Sequence, residues 1–411
     1  MIGRTTNRIH FLDYLRGFMI VVLVMDHSMH GYSTLFKKSW YFQDFGGERL
    51  FDILHMHNDV IMMPFLFFLA GMFVLPSLER RGLKSFITEK FYRLFLPFVI
   101  GVPVLVPIQL YLSDLSKEIT YDGYFDFVFN HFFWDRLWSS ALWFLLSLMI
   151  LTAILVLIQK LMPKVIDLLG VLAKWLVENS VRGVIAASLF AMISIGYSEI
   201  VFGRFDFNMA TVLGTFGKLF KIRQSRFIME ISFFFLGAGF AKAAITTNQS
   251  TLSKIGQSWV KWALFALISG AAYITYSISN FYSGAYSLEI LRHFYFGNGW
   301  DTVWPLMEMY AGPILVRTSL MGLFMIALTG FYVAVFQRFL DKPHPKWQNL
   351  AACSFGIYLF HEPIVVALNY AFFGDDISNY IKFGVTASLS LIGSWAITYA
   401  LKPLPGFRKS L

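Results

Sequence analysis

Runs of about twenty mostly apolar residues, each long enough to cross a bilayer as a helix, recur along this chain and constrain its fold more than any motif does. Such windows fall near 12–33, 55–77, 91–112, 141–160, 182–202, 227–245, 258–279, 313–336, 350–372 and 381–402. Only 14% of the 411 residues are charged and 57% are hydrophobic, against roughly 25% charged in an average soluble chain. Backbone in hydrocarbon must satisfy its own N–H and C=O groups, so the expected fold is all-α: a polytopic membrane bundle of about ten transmembrane helices. No internal repeat or Ser/Gly-rich linker divides the sequence, so residues 1–411 read as a single transmembrane domain with short connections.

The basic residues orient the bundle. Arg4/Arg8, Arg80/Arg81/Lys84/Lys90, Lys160/Lys164/Lys174, Lys242/Lys254, Arg338/Lys342/Lys346 and Arg408/Lys409 fall on one side, which is expected to be the cytoplasm, with both termini there. The opposite connections carry Asp114, Asp122, Asp126, Asp135, Glu289, Asp301, Asp375 and Asp376. The stretch 203–226, with Arg204, Lys218, Lys221, Arg223 and Arg226 on the outer side, breaks this pattern. The net charge of +9 therefore comes from loop clusters, and nucleic-acid binding is not expected. No small-residue cleavage site follows Arg4 and Arg8, so the first helix is expected to remain. The single Cys353, inside an apolar window, offers neither a disulfide nor a Cys-based metal site.

The first window carries the chemistry. FLDYLRGFMIVVLVMDHSMHGY sets Asp13, Arg16, Asp26, His27 and His30 in an otherwise apolar helix, where each ionisable group costs several kcal/mol unless paired or hydrated. Arg16 and His27, eleven residues apart, are separated by about three turns plus roughly 20° and about 16 Å of rise, so they share one face. Asp13 lies beside Arg16 at i,i+3. Two readings fit this stripe. In one, Asp13 and Arg16 form an interfacial ion pair and His27 is a satisfied core histidine. In the other, Arg16 holds a phosphate-bearing donor near the cytoplasm while His27, deeper and toward the outside, takes a proton from a hydroxyl.

LDYLRG with Arg16-x10-His27 resembles the signature of the acyltransferase 3 family of integral-membrane O-acyltransferases. FLFFLAGMF at 65–73, LWFLLSL at 142–148, FFFLGAGF at 233–240 and SFGIYLFHEPI at 354–364 resemble further family segments in the same order. Within the family the pattern is most similar to the branch containing glucans biosynthesis protein C, whose members succinylate periplasmic glucans; other branches acetylate cell-surface sugars. The resemblance implies a catalytic His27 assisted by Arg16 and Asp13, with no tightly bound cofactor and acyl-CoA as the donor substrate. The family's Arg-x-x-Arg motif reads Lys90-Phe-Tyr-Arg93 here, and the lysine lacks the planar fork of arginine. Lys90 and Arg93 are the implied donor-binding cations, since no Gly-rich phosphate loop is present.

In the ninth window Ser354, Tyr358 and His361 share a face, which suits either substrate positioning or an inter-helix hydrogen-bond network. Pro363 is expected to kink that helix. Trp143, Trp134/Trp138 and the rings at Phe294, Tyr295, Trp300 and Trp304 suit sugar stacking or, more simply, an interfacial aromatic belt. His55-x-His57 is not expected to hold a metal, because residues two apart on a helix point about 200° from each other and no Cys or clustered carboxylates complete a set.

Together these features lead to an expectation of a multi-pass enzyme of the bacterial inner membrane. It would move an acetyl or succinyl group from a cytoplasmic acyl-CoA to a polysaccharide or glycolipid hydroxyl, with His27 as base and Trp143, Ser354, Tyr358 and His361 as substrate contacts. Ser28 and Ser354 stay open as acyl-enzyme nucleophiles. The competing expectation is a secondary transporter or exporter of a sugar-containing substrate, with the same Asp, Arg and His groups as its pathway.

Overall fold

The computed structural model describes residues 9–36, 40–201, 219, 224–245, 249–282, 300–404 and 407, and for 180, 197–201, 224–227, 249–250, 252, 281–282 and 300–311 the backbone alone. The described residues are overwhelmingly helical, with one isolated bridge between Ser33 and Glu48. The helices are α1 His10–Met29, α2 Arg49–Arg81, α3 Leu83–Lys90, α4 Leu96–Leu115, α5 Trp143–Leu161, α6 Pro163–Glu178, α7 Ser180–Val201, α8 Gln224–Lys242, α9 Gln249–Gln257, α10 Trp259–Ser277, α11 Trp300–Leu340, α12 Pro345–Ala371 and α13 Asn379–Leu401. Each of the ten sequence windows falls on a helix. Among the described residues seven helical stretches are long and apolar enough to span a membrane by composition: Arg49–Arg81, Leu83–Leu115, Ser140–Leu161, Trp259–Asn280, Gly312–Leu340, Pro345–Ala371 and Asn379–Leu401.

α1 does not meet that composition because Asp13, Arg16 and Asp26 interrupt it, and its position explains how they are tolerated. It packs against α2, α11, α12 and α13, while Tyr14, Leu15 and Met19 along it are fully buried. A helix inside the bundle can place polar groups against protein rather than lipid. The lipid-facing role goes to helices such as α7 and α10, whose Ile185, Leu189, Ile193, Leu264, Leu267 and Ile268 are exposed.

The Gly-ended aromatic segments of α2 and α8 meet in an extensive helix pair. A Cβ added at Gly71 would collide with the Phe234 carbonyl, and one at Gly237 with the Phe68 carbonyl. Only glycine allows the two backbones to approach this closely, the small-residue device of membrane helix pairs. Phe68 then stacks edge-on against Phe240 at 5.2 Å between ring centroids.

Three differences from the sequence expectation stand out. The region after 161, taken as a loop, contains α6, where the amphipathic pattern of PKVIDLLGVLAKWLVE buries Ile166, Gly170 and Ala173 and exposes Leu168 and Val171. α3 runs into α4 through a π-turn at Phe91–Phe95, so the third span begins earlier than expected. α11 begins thirteen residues before the sequence window at 313, because Asp301 and Glu308 break the apolar run there without breaking the helix. The anomalous stretch 203–226 lies almost wholly outside the described residues, as do Phe294 and Tyr295.

Candidate active site

α1 and α12 lie side by side and are tied at two levels. Near the N-terminal end of α1 the Arg16 guanidinium donates to the Ala351 carbonyl at 3.1 Å. Near the C-terminal end of α1 His27 Nδ1 and His361 Nε2 are 3.1 Å apart. Arg16 to His27 spans eleven residues and Ala351 to His361 spans ten, so the two helices run in the same direction in nearly matching register. A close approach at Gly17 supports the lower tie: a Cβ there would meet Leu350 and Ala351 at 3.2–3.4 Å.

The upper tie fixes a tautomer. His361 Nδ1 lies 2.7 Å from the Tyr358 carbonyl, which can only accept, so that nitrogen carries the proton. Nε2 of a neutral His361 is then an acceptor, and His27 must donate from Nδ1. The lone pair of His27 is thereby assigned to Nε2, the nitrogen turned away from this bond. His361 is fully buried, whereas His27 is only partly so. The Trp40 ring packs against His27 at 5.0 Å.

Trp40 belongs to a strap, described at residues 33–36 and 40–48, that folds over the C-terminal end of α1. Ser33 donates to Asp52 at 2.6 Å, Asp44 pairs with Lys382 of α13 at 2.6 Å, and Trp40 Nε1 donates to Asn369 of α12 at 3.2 Å. Tyr41 donates to Gln109 at 2.7 Å, beside Ser140, whose hydroxyl donates to Glu362 at 2.6 Å. Burial, and next the Glu362 carboxylate, pushes the Tyr41 phenol well above the usual tyrosine range, so it remains a neutral donor. Ser140 has a left-handed φ of 48°, a conformation disfavoured for a residue with a Cβ.

Asp26, next to His27 in sequence, faces α2 instead. His55 Nδ1 is 3.1 Å and Asn58 Nδ2 3.1 Å from Asp26 Oδ1, while His30 Nδ1 is 3.8 Å from Oδ2. His57 turns the other way, to Tyr332 of α11 at 3.2 Å. At the N-terminal end of α1 Asp13 is 3.6 Å from Arg16. Glu89 is shared by Arg81 at 3.0 Å and Arg93 at 3.2 Å, and Lys90 sits over the Phe86 ring at 5.2 Å.

A buried polar stripe with a half-buried imidazole fits either an enzyme or a transport path, and a comparison of sequences separates them. The sequence profile of the acyltransferase 3 family, described as an acyltransferase domain, matches residues 9–399. The chain belongs to the acyltransferase 3 family. It is a membrane acyltransferase that transfers groups other than aminoacyl groups, and the transporter expectation is set aside. No curated protein and no solved structure matches the chain.

In this acyltransferase 3 family member the structure brings together some of the residues singled out from sequence and separates others. His27 and His361 meet, and Arg16 and Asp13 lie on the same helix as His27, about 16 and about 21 Å along it. Ser354 and Arg16 both donate to the Ala351 carbonyl, and Tyr358 donates to the Ala141 carbonyl at 2.6 Å. These two hydroxyls are thus engaged in helix contacts, the network alternative for that stripe. Trp143 is partly buried against Phe67 and Phe144, with centroids at 6.2 and 6.4 Å. Ser28 donates to Val24 within its own helix at 2.7 Å. Pro363 lies within the continuous helix α12, just after His361.

Sequence reasoning passed over Glu362, although the rule that singled out α1, a carboxylate in an apolar helix, applies to it equally. It also missed Trp40, Tyr41 and Asn369, for which a loop and a lone amide give no local signal. It treated His55 only against His57, because the partners that reach it come from α1.

Proposed function

We propose that this acyltransferase moves an acetyl or succinyl group from cytoplasmic acyl-CoA to a glycan hydroxyl at the outer face of the bacterial inner membrane. His27 Nε2 acts as the general base. The observation that carries the reading is the hydrogen-bond chain from Tyr358 through His361 to His27, which leaves a lone pair on His27 Nε2. His27 Nε2 takes the proton of the acceptor hydroxyl as its oxygen attacks the thioester carbonyl. The tetrahedral intermediate collapses, the C–S bond breaks, and the imidazolium returns the proton to the departing thiolate. General-base assistance of this kind contributes on the order of 10²–10⁴ in rate. As His27 becomes cationic, His361 Nε2 still accepts from Nδ1 and spreads the charge. His361 is thus a positioning residue rather than the substrate contact expected from sequence.

The donor's phosphates fall to Arg16, Lys90 and Arg93. Arg16 is about a third exposed and has guanidinium nitrogens beyond the one bonded to Ala351. Arg93 lies 3.2 Å from Glu89 and Arg16 a longer 3.6 Å from Asp13, so Arg16 is the less closely paired cation and takes the larger part in this reading. Direct transfer is favoured over an acyl-enzyme, because Ser28 and Ser354 donate their hydroxyl protons to carbonyls of their own helices. The glycan acceptor and the succinyl option rest on the resemblance to the glucans biosynthesis protein C branch. The test is to incubate the purified protein in lipid vesicles with acetyl-CoA or succinyl-CoA and a periplasmic glucan, following free thiol and glycan mass. Thiol release matched by an ester-sized mass gain supports the reading; thiol release without modified glycan assigns the acceptor elsewhere.

A further inference from the structure

Asp26, His30 and His55 bring two imidazoles and one carboxylate from two helices into one buried cluster, and the acyl-transfer reading uses none of them. Their ligand atoms all lie within 4.8 Å of one another, and all three residues are buried. Asp26 and His30 occupy i and i+4 at the end of α1, a spacing that places both on one helix face, and His55 closes the set from α2.

The separations are those of a metal site before closure. Donors about 2.0–2.1 Å from a tetrahedral ion are about 3.3 Å apart. His55 Nδ1 to Asp26 Oδ1 is already 3.1 Å. His30 Nδ1 to Asp26 Oδ2 is 3.8 Å and the three ligand atoms lie within 4.8 Å, so closure around an ion draws them together by at most about 1.5 Å, through the short 3₁₀ turn His30–Tyr32 and the side-chain torsions. The His30 and His55 rings stand edge to face at 4.3 Å, which directs both Nδ1 atoms toward the same carboxylate. Asn58 Nδ2 holds Asp26 Oδ1 at 3.1 Å, the second hydrogen bond that orients a ligating carboxylate.

We propose that Asp26, His30 and His55 bind a transition-metal dication of the zinc class, taken up from the outer face. Two nitrogens and one carboxylate suit Zn²⁺, whereas Ca²⁺ and Mg²⁺ prefer all-oxygen sets. Binding requires each neutral imidazole to carry its proton on Nε2, so no net proton need be released. The ion neutralises the buried Asp26 carboxylate and staples the outer ends of α1 and α2, one residue from His27. Its role is to hold that junction; it takes no step in acyl transfer.

The test reads metal alone, with neither acyl donor nor acceptor, so its failure leaves the acyl-transfer reading intact. The purified full chain in detergent, stripped with a chelator, is titrated with Co²⁺. The expected result is one tightly bound ion per chain with the visible bands of tetrahedral cobalt, displaced by Zn²⁺ and lost in His30→Gln/His55→Gln. Should that double variant fold poorly, His30→Cys serves instead: a thiolate-to-cobalt charge-transfer band then marks position 30 as a ligand. Native protein that binds no more Co²⁺ than the double variant, or His30→Cys that binds without the thiolate band, overturns the proposal.

Discussion

His361 Nε2 lies 3.1 Å from His27 Nδ1, and its other nitrogen is held 2.7 Å from the Tyr358 carbonyl. The protons along this path can run in only one direction while both rings are neutral, because the carbonyl cannot donate. The sequence distance between the partners is 334 residues, so the relationship that orients His27 exists only after α1 and α12 have packed.

Replacing His361 tests that orientation. His361→Leu removes the acceptor for His27 Nδ1 and is expected to lower kcat by about 10²-fold or more, with little change in either KM. His361→Gln retains an oxygen acceptor and is expected to recover a measurable part of the rate. Equal losses in both variants, or a loss confined to KM, would contradict the positioning role.

Arg16 is expected to act on the donor. Arg16→Ala should raise KM for acyl-CoA at least tenfold while leaving KM for the glycan nearly unchanged, and Arg93→Ala should have a smaller effect because Glu89 already pairs with it. Arg16→Lys keeps the charge but not the fork and should fall between the two. Steady-state kinetics with both substrates varied makes the comparison.

The α2–α8 contact predicts a stability effect without chemistry. Gly71→Ala drives a methyl into the Phe234 carbonyl and is expected to cost about 1–3 kcal/mol, since backbone on the far side cannot move aside as a flexible side chain can. Thermal unfolding in detergent should show the drop. Gly384→Ala, where a Cβ would meet nothing within 4 Å, is the control and should leave the transition in place.

The strap over the site depends on the Asp44–Lys382 pair, which is about 97% buried on both sides. Lys382→Met leaves Asp44 charged and unpaired and is expected to destabilise by about 3–5 kcal/mol. The double variant Asp44→Asn/Lys382→Met should recover much of that loss. A single variant as stable as native protein would show that the strap is held by its other contacts.

The spans were legible because lipid imposes a simple code: about twenty apolar residues in a row make a helix. Asp13, Arg16, Asp26 and His27 were legible by the same logic, as groups that do not belong in hydrocarbon. Their partners were not. Arg16 meets Ala351 through a backbone carbonyl, which no residue type announces, and Asp26 meets His55 only because α1 and α2 turn those faces together. Trp40 reaches His27 along an irregular strap, where neither helical nor strand periodicity exists to be read. α6 was hidden for a different reason: its amphipathic pattern is shorter than a span and begins at Pro163, which reads locally as a break but stands at the first turn of the helix.

The central claim is that His27 removes the acceptor proton. Mass spectrometry of cell-surface and periplasmic glycans from cells carrying native protein, His27→Ala, or no copy tests it most directly, with membrane abundance matched between strains. The account predicts an added acetyl or succinyl mass with native protein and none in the other two. Glycans acylated to the native extent in the His27→Ala strain would contradict it.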